Sequence, residues 1–148
     1  MKHLLTTITA ILILITMGLV NSSMASAEQV EIVVKVVHAS KNGNEVHENV
    51  KELYSRLSKM FDFTSYKMLL NVKEKGDYSQ KQIITLPNNQ KLILTPIEKD
   101  KDFHIKVEME IEGVIKTDFR LKDGGTIILG GTKHKDGVLI LVIKITEL

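Results

Sequence analysis

Hydrophobic and polar positions change their period twice along the chain. Around residue 30, apolar side chains occupy every second position and predict a strand; they are Val30, Ile32, Val34 and Val36. Between Glu45 and Phe61 the apolar side chains return at every third or fourth position, as along one face of a helix. The side chains of that face are Val46, Val50, Leu53, Leu57 and Phe61. Asn42 and Asn44 are the candidate helix caps ahead of it.

After Ser65 the period returns to two and predicts a series of strands. The first of them alternates Tyr66, Met68, Leu70 and Val72 against the other positions. The clearest alternation comes later, in two consecutive strands. Their predicted inward side chains are Phe103, Ile105, Val107, Met109 and Ile111, then Ile115, Phe119 and Leu121.

The turn between those two strands follows from a parity argument. Residues directly opposite each other in a hairpin point to the same face, so a two-residue loop would set Glu110 against Ile115. A three-residue loop, Glu112 to Val114, avoids this conflict. It pairs Ile111 with Ile115, Glu110 with Lys116, and Val107 with Phe119.

The end of the sequence is rich in glycine and then in apolar residues. Asp123-Gly124-Gly125 predicts a tight hairpin turn with positive backbone angles, and Gly130-Gly131 predicts a bulge or a close backbone crossing. The last strand, from Val138 to Ile143, is apolar on both faces, so we expect it to be covered on both sides. The pattern as a whole predicts an α+β domain with a β-α-β start and one amphipathic helix packed on a mostly antiparallel β-sheet or sandwich.

The first 27 residues have the pattern of a signal peptide. Lys2 and His3 precede an apolar run from Leu4 to Val20, and Ala25-Ser26-Ala27 is a small-x-small cleavage site. Threonines interrupt the run and no basic stop-transfer flank follows, which disfavours a membrane anchor. We predict cleavage before Glu28, a single domain over residues 28–148, and an exported protein that is periplasmic or secreted, with no integral membrane segment after cleavage.

The composition and the motifs of the chain exclude several classes of function. The chain has no cysteine, so disulfides, thiolate metal sites and thiol nucleophiles are absent. Without Lys2, 19 basic residues stand against 18 acidic ones, finely interspersed, and no basic face for nucleic acid is evident. The glycines lie between strands without a phosphate-loop motif, and the serines lack a nucleophile elbow. His38, His47, His104 and His134 lack metal-site spacing. We therefore predict no enzyme, no cofactor and no metal.

Two binding hypotheses remain open on these residues. An interaction loop is expected near the second glycine pair, where two lysines flank a histidine, and unpaired edge strands could add a partner's strand. The loop residues are Gly130, Gly131, Lys133, His134, Lys135 and Asp136. The alternative is a small-ligand site between helix and sheet lined by Tyr54, Phe61, Phe63 and Tyr66, for which ordinary core packing is the simpler interpretation.

A family resemblance extends from Ile83 to Gly131. "ITLPNNQKLILTPIEKDKDFHIKVEMEI" followed by "TDFRLKDGGTIILGG" resembles the β-domain of bacterial secretins, the outer-membrane pore proteins of type II and type III secretion and type IV pili. The matching positions include Leu92, Leu94, Thr95, Pro96, Ile97, Asp123, Gly124, Thr126, Leu129, Gly130 and Gly131. After them the sequence departs from the secretin pattern, so a pore is not implied.

The resemblance implies a β-fold and a place in envelope assembly. Together with the signal peptide, it predicts a non-enzymatic interaction or accessory module of the bacterial envelope. Its expected partners are envelope or secretion-system proteins, or a second copy of itself. The alternative function is that of a periplasmic small-ligand-binding protein.

Overall fold

A computed structural model describes residues 28–148 as eight strands and one α-helix. The elements are β1 (Gln29–Ser40), α1 (Lys51–Met60, preceded by a 3-10 turn at Glu48–Val50), β2 (Ser65–Asp77), β3 (Gln82–Thr85), β4 (Lys91–Lys99), β5 (His104–Ile111), β6 (Ile115–Lys122), β7 (Thr126–His134) and β8 (Gly137–Glu147). The expected signal peptide lies outside the described residues.

The strands form two four-stranded antiparallel sheets. The first sheet has the order β2-β1-β8-β7 and the second has the order β3-β4-β5-β6. The prediction of a mostly antiparallel β-structure with one helix is therefore confirmed. The β-α-β start is not confirmed. Although β1, α1 and β2 follow one another, β1 and β2 are antiparallel neighbours, with Val34 opposite Val72, rather than strands joined by a parallel crossover.

The main core lies between the two sheets. One face of β1 and one face of β8 supply aliphatic side chains that meet those of β4 and β5. These side chains are Val30, Ile32, Val34, Val36, Leu139, Leu141, Ile143, Ile145, Leu92, Leu94, Ile105 and Val107. Their period of two along each strand places them on the inner face, because successive side chains of a strand point to opposite sides. The result is a β-sandwich.

A second, smaller core lies on the outer face of the first sheet, under α1. Val50 and Leu57 are buried there against Val37, Tyr66 and Ile140. The middle strand β8 is therefore covered by the second sheet on one side and by the helix on the other. This confirms the prediction drawn from its two apolar faces.

The hairpin of β5 and β6 has the predicted register. Ile111 lies opposite Ile115, Glu110 opposite Lys116, and Val107 opposite Phe119. Gly113 occupies the loop with φ +74°, a conformation that glycine adopts without strain.

The prediction of inward-facing side chains in this hairpin is confirmed from Ile105 to Ile111. It is wrong at Phe103, which is 62% exposed. Phe103 precedes β5 in a turn with φ 61°, so the alternation of the strand does not reach it. Ile115 is also half exposed, because it begins an edge strand.

The alternation expected in β2 is interrupted by a bulge. Val36 lies opposite Leu70 but Val37 lies opposite Met68, which leaves Leu69 as an extra residue. A bulge moves the following side chains to the other face of the sheet. Tyr66 and Met68 consequently pack with the helix, whereas Leu70 packs between the sheets.

The turn at Asp123-Gly124-Gly125 is tight, with Gly124 at φ +73°, but it is not a hairpin turn. It carries the chain from β6 in the second sheet to β7 in the first sheet. The backbone amide of Gly124 donates to the carbonyl of Ile145 over 2.9 Å. The turn is thus bonded to β8 as it changes sheets.

The predicted helix caps are wrong. The 3-10 turn and α1 begin at Glu48 and Lys51, and neither start has a side-chain cap. Residues near Val46 are extended instead, since the amide of His47 donates to the carbonyl of Tyr66 over 3.1 Å. Pairing with the start of β2 competes with helix formation there, so α1 is shorter than the periodicity predicted.

Candidate functional site

The residues predicted as an interaction loop form a β-hairpin. Gly130, Gly131, Lys133 and His134 belong to β7, and only Lys135 and Asp136 form the turn into β8. The second glycine pair does provide the predicted bulge, because Gly130 lies opposite Ile140 and Thr132 opposite Leu139. It also provides a close approach: a Cβ on Gly130 would lie 2.4 Å from the Phe61 ring.

The polar side chains at the tip of this hairpin contact β1. His38 Nε2 lies 3.3 Å from Asp136 Oδ1, and the rings of His38 and His134 meet edge to face at 5.6 Å. Burial, followed by the charges of His38 and Lys135, lowers the pKa of His134 below its usual value. These contacts attach the hairpin tip to the neighbouring strand. Within residues 28–148, no group of three or more His, Asp or Glu side chains is placed to hold a metal ion.

The aromatic residues proposed as a ligand-site lining fill the space between helix and sheet. Tyr66 is fully buried, and its hydroxyl donates to the carbonyl of Phe61 over 3.1 Å. The Tyr54 ring meets that of Tyr66 edge to face at 5.7 Å, and Phe61 and Phe63 pack against the same cluster. Burial raises the pKa of the Tyr66 hydroxyl above its ordinary value. Tyr66, Phe61 and Phe63 therefore belong to the core under α1, as the simpler interpretation held, whereas Tyr54 lies at its edge and is 41% exposed.

A groove lies beside the helix, on the part of the first sheet that the helix leaves uncovered. With ten residues α1 is about 15 Å long, whereas the twelve residues of β1 extend about 40 Å. The groove has a volume of about 490 Å³. It is lined by Glu31, Val33, Lys35, Leu53, Arg56, Asn71, Lys73, Thr126, Val142 and Lys144.

Strand register brings three lysines around the middle of this groove. Val33 lies opposite Lys73 of β2 on one side and opposite Lys144 of β8 on the other. Lys35 follows two residues later on the same face. Strand spacings place the Cα atoms of Lys73 and Lys144 about 10 Å apart, with that of Lys35 about 8 Å from each. Lysine side chains are long and flexible enough for the three ammonium groups to approach one anion.

The charges in the groove are unbalanced. Its lining has four cationic side chains and one carboxylate, Glu31. Glu31 Oε1 is 3.2 Å from Lys73 Nζ, so these two charges largely offset each other. Within the described part of the chain, Lys35, Arg56 and Lys144 have no ion-pair partner. Three positive charges are left, and a concave surface concentrates their field.

The floor of the groove is apolar. Val142 is buried there, while Val33 and Leu53 are half-buried and reach the open space. An apolar floor under a cationic rim accommodates a ligand that has an anionic group and a hydrophobic part.

Sequence reasoning missed this groove because its lysines occupy ordinary polar positions of their strands. Lys35, Lys73 and Lys144 are up to 109 residues apart in the chain. The one available signal was that all three lie at outward positions of long strands.

In residues 28–148, no helix combines the length and the apolar character needed to cross a membrane. No protein-family model matches the chain, and neither does any curated protein or solved structure.

Proposed function

We propose that this protein is an exported, non-enzymatic binding module that holds a small anionic ligand with an apolar part in the basic groove. The observation that carries the proposal is the set of three unpaired cationic side chains, Lys35, Arg56 and Lys144, above an apolar floor. Unpaired charges of one sign on a sheet face repel one another, and a bound anion relieves that repulsion.

The size and chemistry of the groove support a small ligand. Ligand sites commonly measure about 300–1,000 Å³, and this groove has about 490 Å³. The lysines supply point charges that suit a carboxylate, sulfate or phosphate group. Arg56 adds a planar fork that can donate two parallel hydrogen bonds to two oxygens of such a group.

The groove supports binding rather than catalysis. General acid and base catalysis by carboxyl groups usually needs a pair of them, and the only carboxylate in the groove is held by Lys73. The proposal keeps the small-ligand alternative of the sequence analysis but replaces its aromatic lining. None of the six hairpin residues lines this groove.

The location in the bacterial envelope rests on the pattern of residues 1–27 and on the secretin resemblance, whose residues run from β3 to β7. Expression of the full chain in a Gram-negative host tests export. The periplasmic fraction should contain a protein whose mass corresponds to a start at Glu28. A full-length product retained in the cytoplasm or the membrane would contradict export.

Binding can be tested with 1-anilinonaphthalene-8-sulfonate, a fluorescent probe that combines a sulfonate with apolar rings. Titration of residues 28–148, which include both sheets and both cores, should show one saturable site that weakens with added salt. Lys35→Gln with Lys144→Gln should weaken binding about tenfold, because two exposed charge interactions are lost.

Two controls make this experiment specific. Lys67→Gln removes a lysine of β2 outside the groove and should leave the affinity unchanged. The neutral probe N-phenyl-1-naphthylamine should bind the wild type and the double variant equally, since it has no charge for the lysines to attract. Equal affinity of the wild type and the double variant for the sulfonate would refute the anion-binding proposal.

A further inference from the structure

The two sheets of the sandwich have four edge strands, and β6 differs from the other three. Edge strands in natural proteins are usually shortened or interrupted, which prevents pairing with another chain. β2 has a bulge at Leu69, β7 has a bulge at Gly131, and β3 has four residues. β6 pairs with β5 in unbroken register over eight residues and has no glycine or proline. Within residues 28–148 no strand pairs with its other edge.

Apolar surface accompanies this open edge. Val114 in the turn before β6 and Ile115 at the start of β6 are 56% and 47% exposed. They border a cleft of about 310 Å³ at the open side of the sandwich, whose floor includes Ile111 and Leu129. A strand added to β6 would cover both exposed side chains.

The order of charges on β6 favours a second copy of the same strand. The outward side chains are Lys116, Asp118, Arg120 and Lys122, preceded by Glu112 in the loop. Two antiparallel copies related by a two-fold axis at Thr117 set Lys116 opposite Asp118 of the second copy, and Lys122 opposite Glu112 of the second copy. Every charged pair that lies directly opposite in this register has opposite signs.

Neighbouring registers lack this property. Side chains that lie opposite must share a face, so the axis can move only by one whole residue at a time. An axis at Asp118 places this carboxylate opposite Asp118 of the second copy. An axis at Lys116 places this ammonium group opposite Lys116 of the second copy. An axis at Phe119 sets Lys116 against Lys122. Like charges directly opposite destabilise an antiparallel pair, so only the axis at Thr117 fits.

We propose that two copies of this protein join through β6 in this register and form one continuous eight-stranded sheet from their second sheets. Ile115 then lies opposite Phe119 of the second copy, which buries the apolar start of the strand. The basic groove lies on the first sheet, so it stays open in both copies. The inference is therefore independent of the proposed ligand.

One substitution distinguishes an effect on the dimer interface from an effect on the stability of the fold. Inside each copy Asp118 lies opposite Glu108 of β5, a like-charge pair. Asp118→Lys removes that repulsion, and should raise the melting temperature of the monomer slightly. Across the interface it sets two lysines opposite each other at two symmetry-related places, and should weaken dimerisation roughly tenfold. The double swap of Lys116→Asp with Asp118→Lys restores opposite charges across the interface and should restore the wild-type dimer affinity.

The experiment is light scattering after size exclusion on residues 28–148, from low micromolar to millimolar concentration. The wild type should rise from monomer mass to dimer mass, the single variant should need about ten times more protein, and the double swap should follow the wild type. Lys67→Asp, on the edge of the first sheet, should leave the curve unchanged. A wild type that stays monomeric throughout overturns the proposal. The proposal is also overturned if Asp118→Lys leaves the dimer affinity unchanged, or if the double swap does not restore the wild-type affinity.

Discussion

The two outer faces of the sandwich are both rich in lysine, yet their charges are arranged differently. On the second sheet, cations and carboxylates are mixed, and some of them pair: Lys116 Nζ lies 4.0 Å from Glu110 Oε2, and Arg120 Nη1 lies 3.1 Å from Asp100 Oδ2. On the first sheet, Lys35 and Lys144 lie opposite uncharged residues of the neighbouring strands, and Lys73 pairs with the one carboxylate of the groove, Glu31. A near-neutral chain can thus have one balanced face and one face with a local excess of charge.

The helix causes this difference. It covers one end of the first sheet with Val50 and Leu57, and the remaining end becomes a groove with a wall formed by Leu53 and Arg56. The second sheet has no helix over its outer face in the described part of the chain, so its outward side chains stay open to solvent. Among the described residues, a concave surface with an excess of positive charge therefore occurs on the outer face of the first sheet, whereas the concave surfaces of the second sheet have charges of both signs.

The largest expected effect comes from detaching the helix. Leu57→Ala removes a fully buried side chain from the cluster between α1 and the first sheet, and should cost about 2–5 kcal/mol of unfolding free energy. Ser55→Ala on the exposed side of α1 should change stability by no more than about 0.5 kcal/mol. Urea unfolding measures both. If the two variants are equally stable, the packing of α1 on the outer face of the first sheet does not contribute to the stability of the fold.

A smaller effect should follow from changing the only carboxylate of the groove. Glu31→Gln frees Lys73 and should tighten binding of the anilinonaphthalene sulfonate by roughly two- to fivefold, the value of one exposed ion pair. Glu108→Gln changes the charge of the balanced face by the same amount and should leave the affinity unaltered. If both substitutions tighten binding equally, net charge rather than the groove controls it, and the contrast between the two faces disappears.

The smallest effect concerns the polar contact that joins the two sheets. Glu147 at the end of β8 accepts hydrogen bonds from Lys99 of β4 and, over 2.8 Å, from the Tyr78 hydroxyl. The hydrogen bond from Lys99 contributes most, with that from Tyr78 next, to holding the pKa of Glu147 below its ordinary value of 4.5. Protons therefore bind the unfolded chain more readily, so this stabilisation is complete above the ordinary pKa and is lost as the pH falls through the lowered one.

Glu147→Gln should accordingly flatten the dependence of stability on pH on the acid side of 4.5, with little change in its slope near neutrality. Urea unfolding at a series of pH values measures this slope. Glu98→Gln, an exposed change on β4, is the matched control and should retain the wild-type slope. A wild-type slope in Glu147→Gln would show that this carboxylate does not couple the sheets.

The sequence by itself determined the features that depend on face parity and local backbone chemistry. The Ile111–Ile115 register follows because opposite side chains must share a face, and the double burial of β8 follows from its two apolar faces. The bulge at Gly131 and the close approach at Gly130 were readable from a glycine pair inside a strand.

Outside the hairpin of β5 and β6, tertiary structure alone decided which strands became neighbours. The turn at Gly124 changes sheets instead of closing a hairpin, and the bulge at Leu69 divides β2 between two cores. The groove arises from the same source, since Lys35, Lys73 and Lys144 meet only after β1 pairs with both β2 and β8. Local patterns specify which face a side chain occupies. The competition among long-range packings decides what that face meets, because that free energy is gained only when distant segments are buried together.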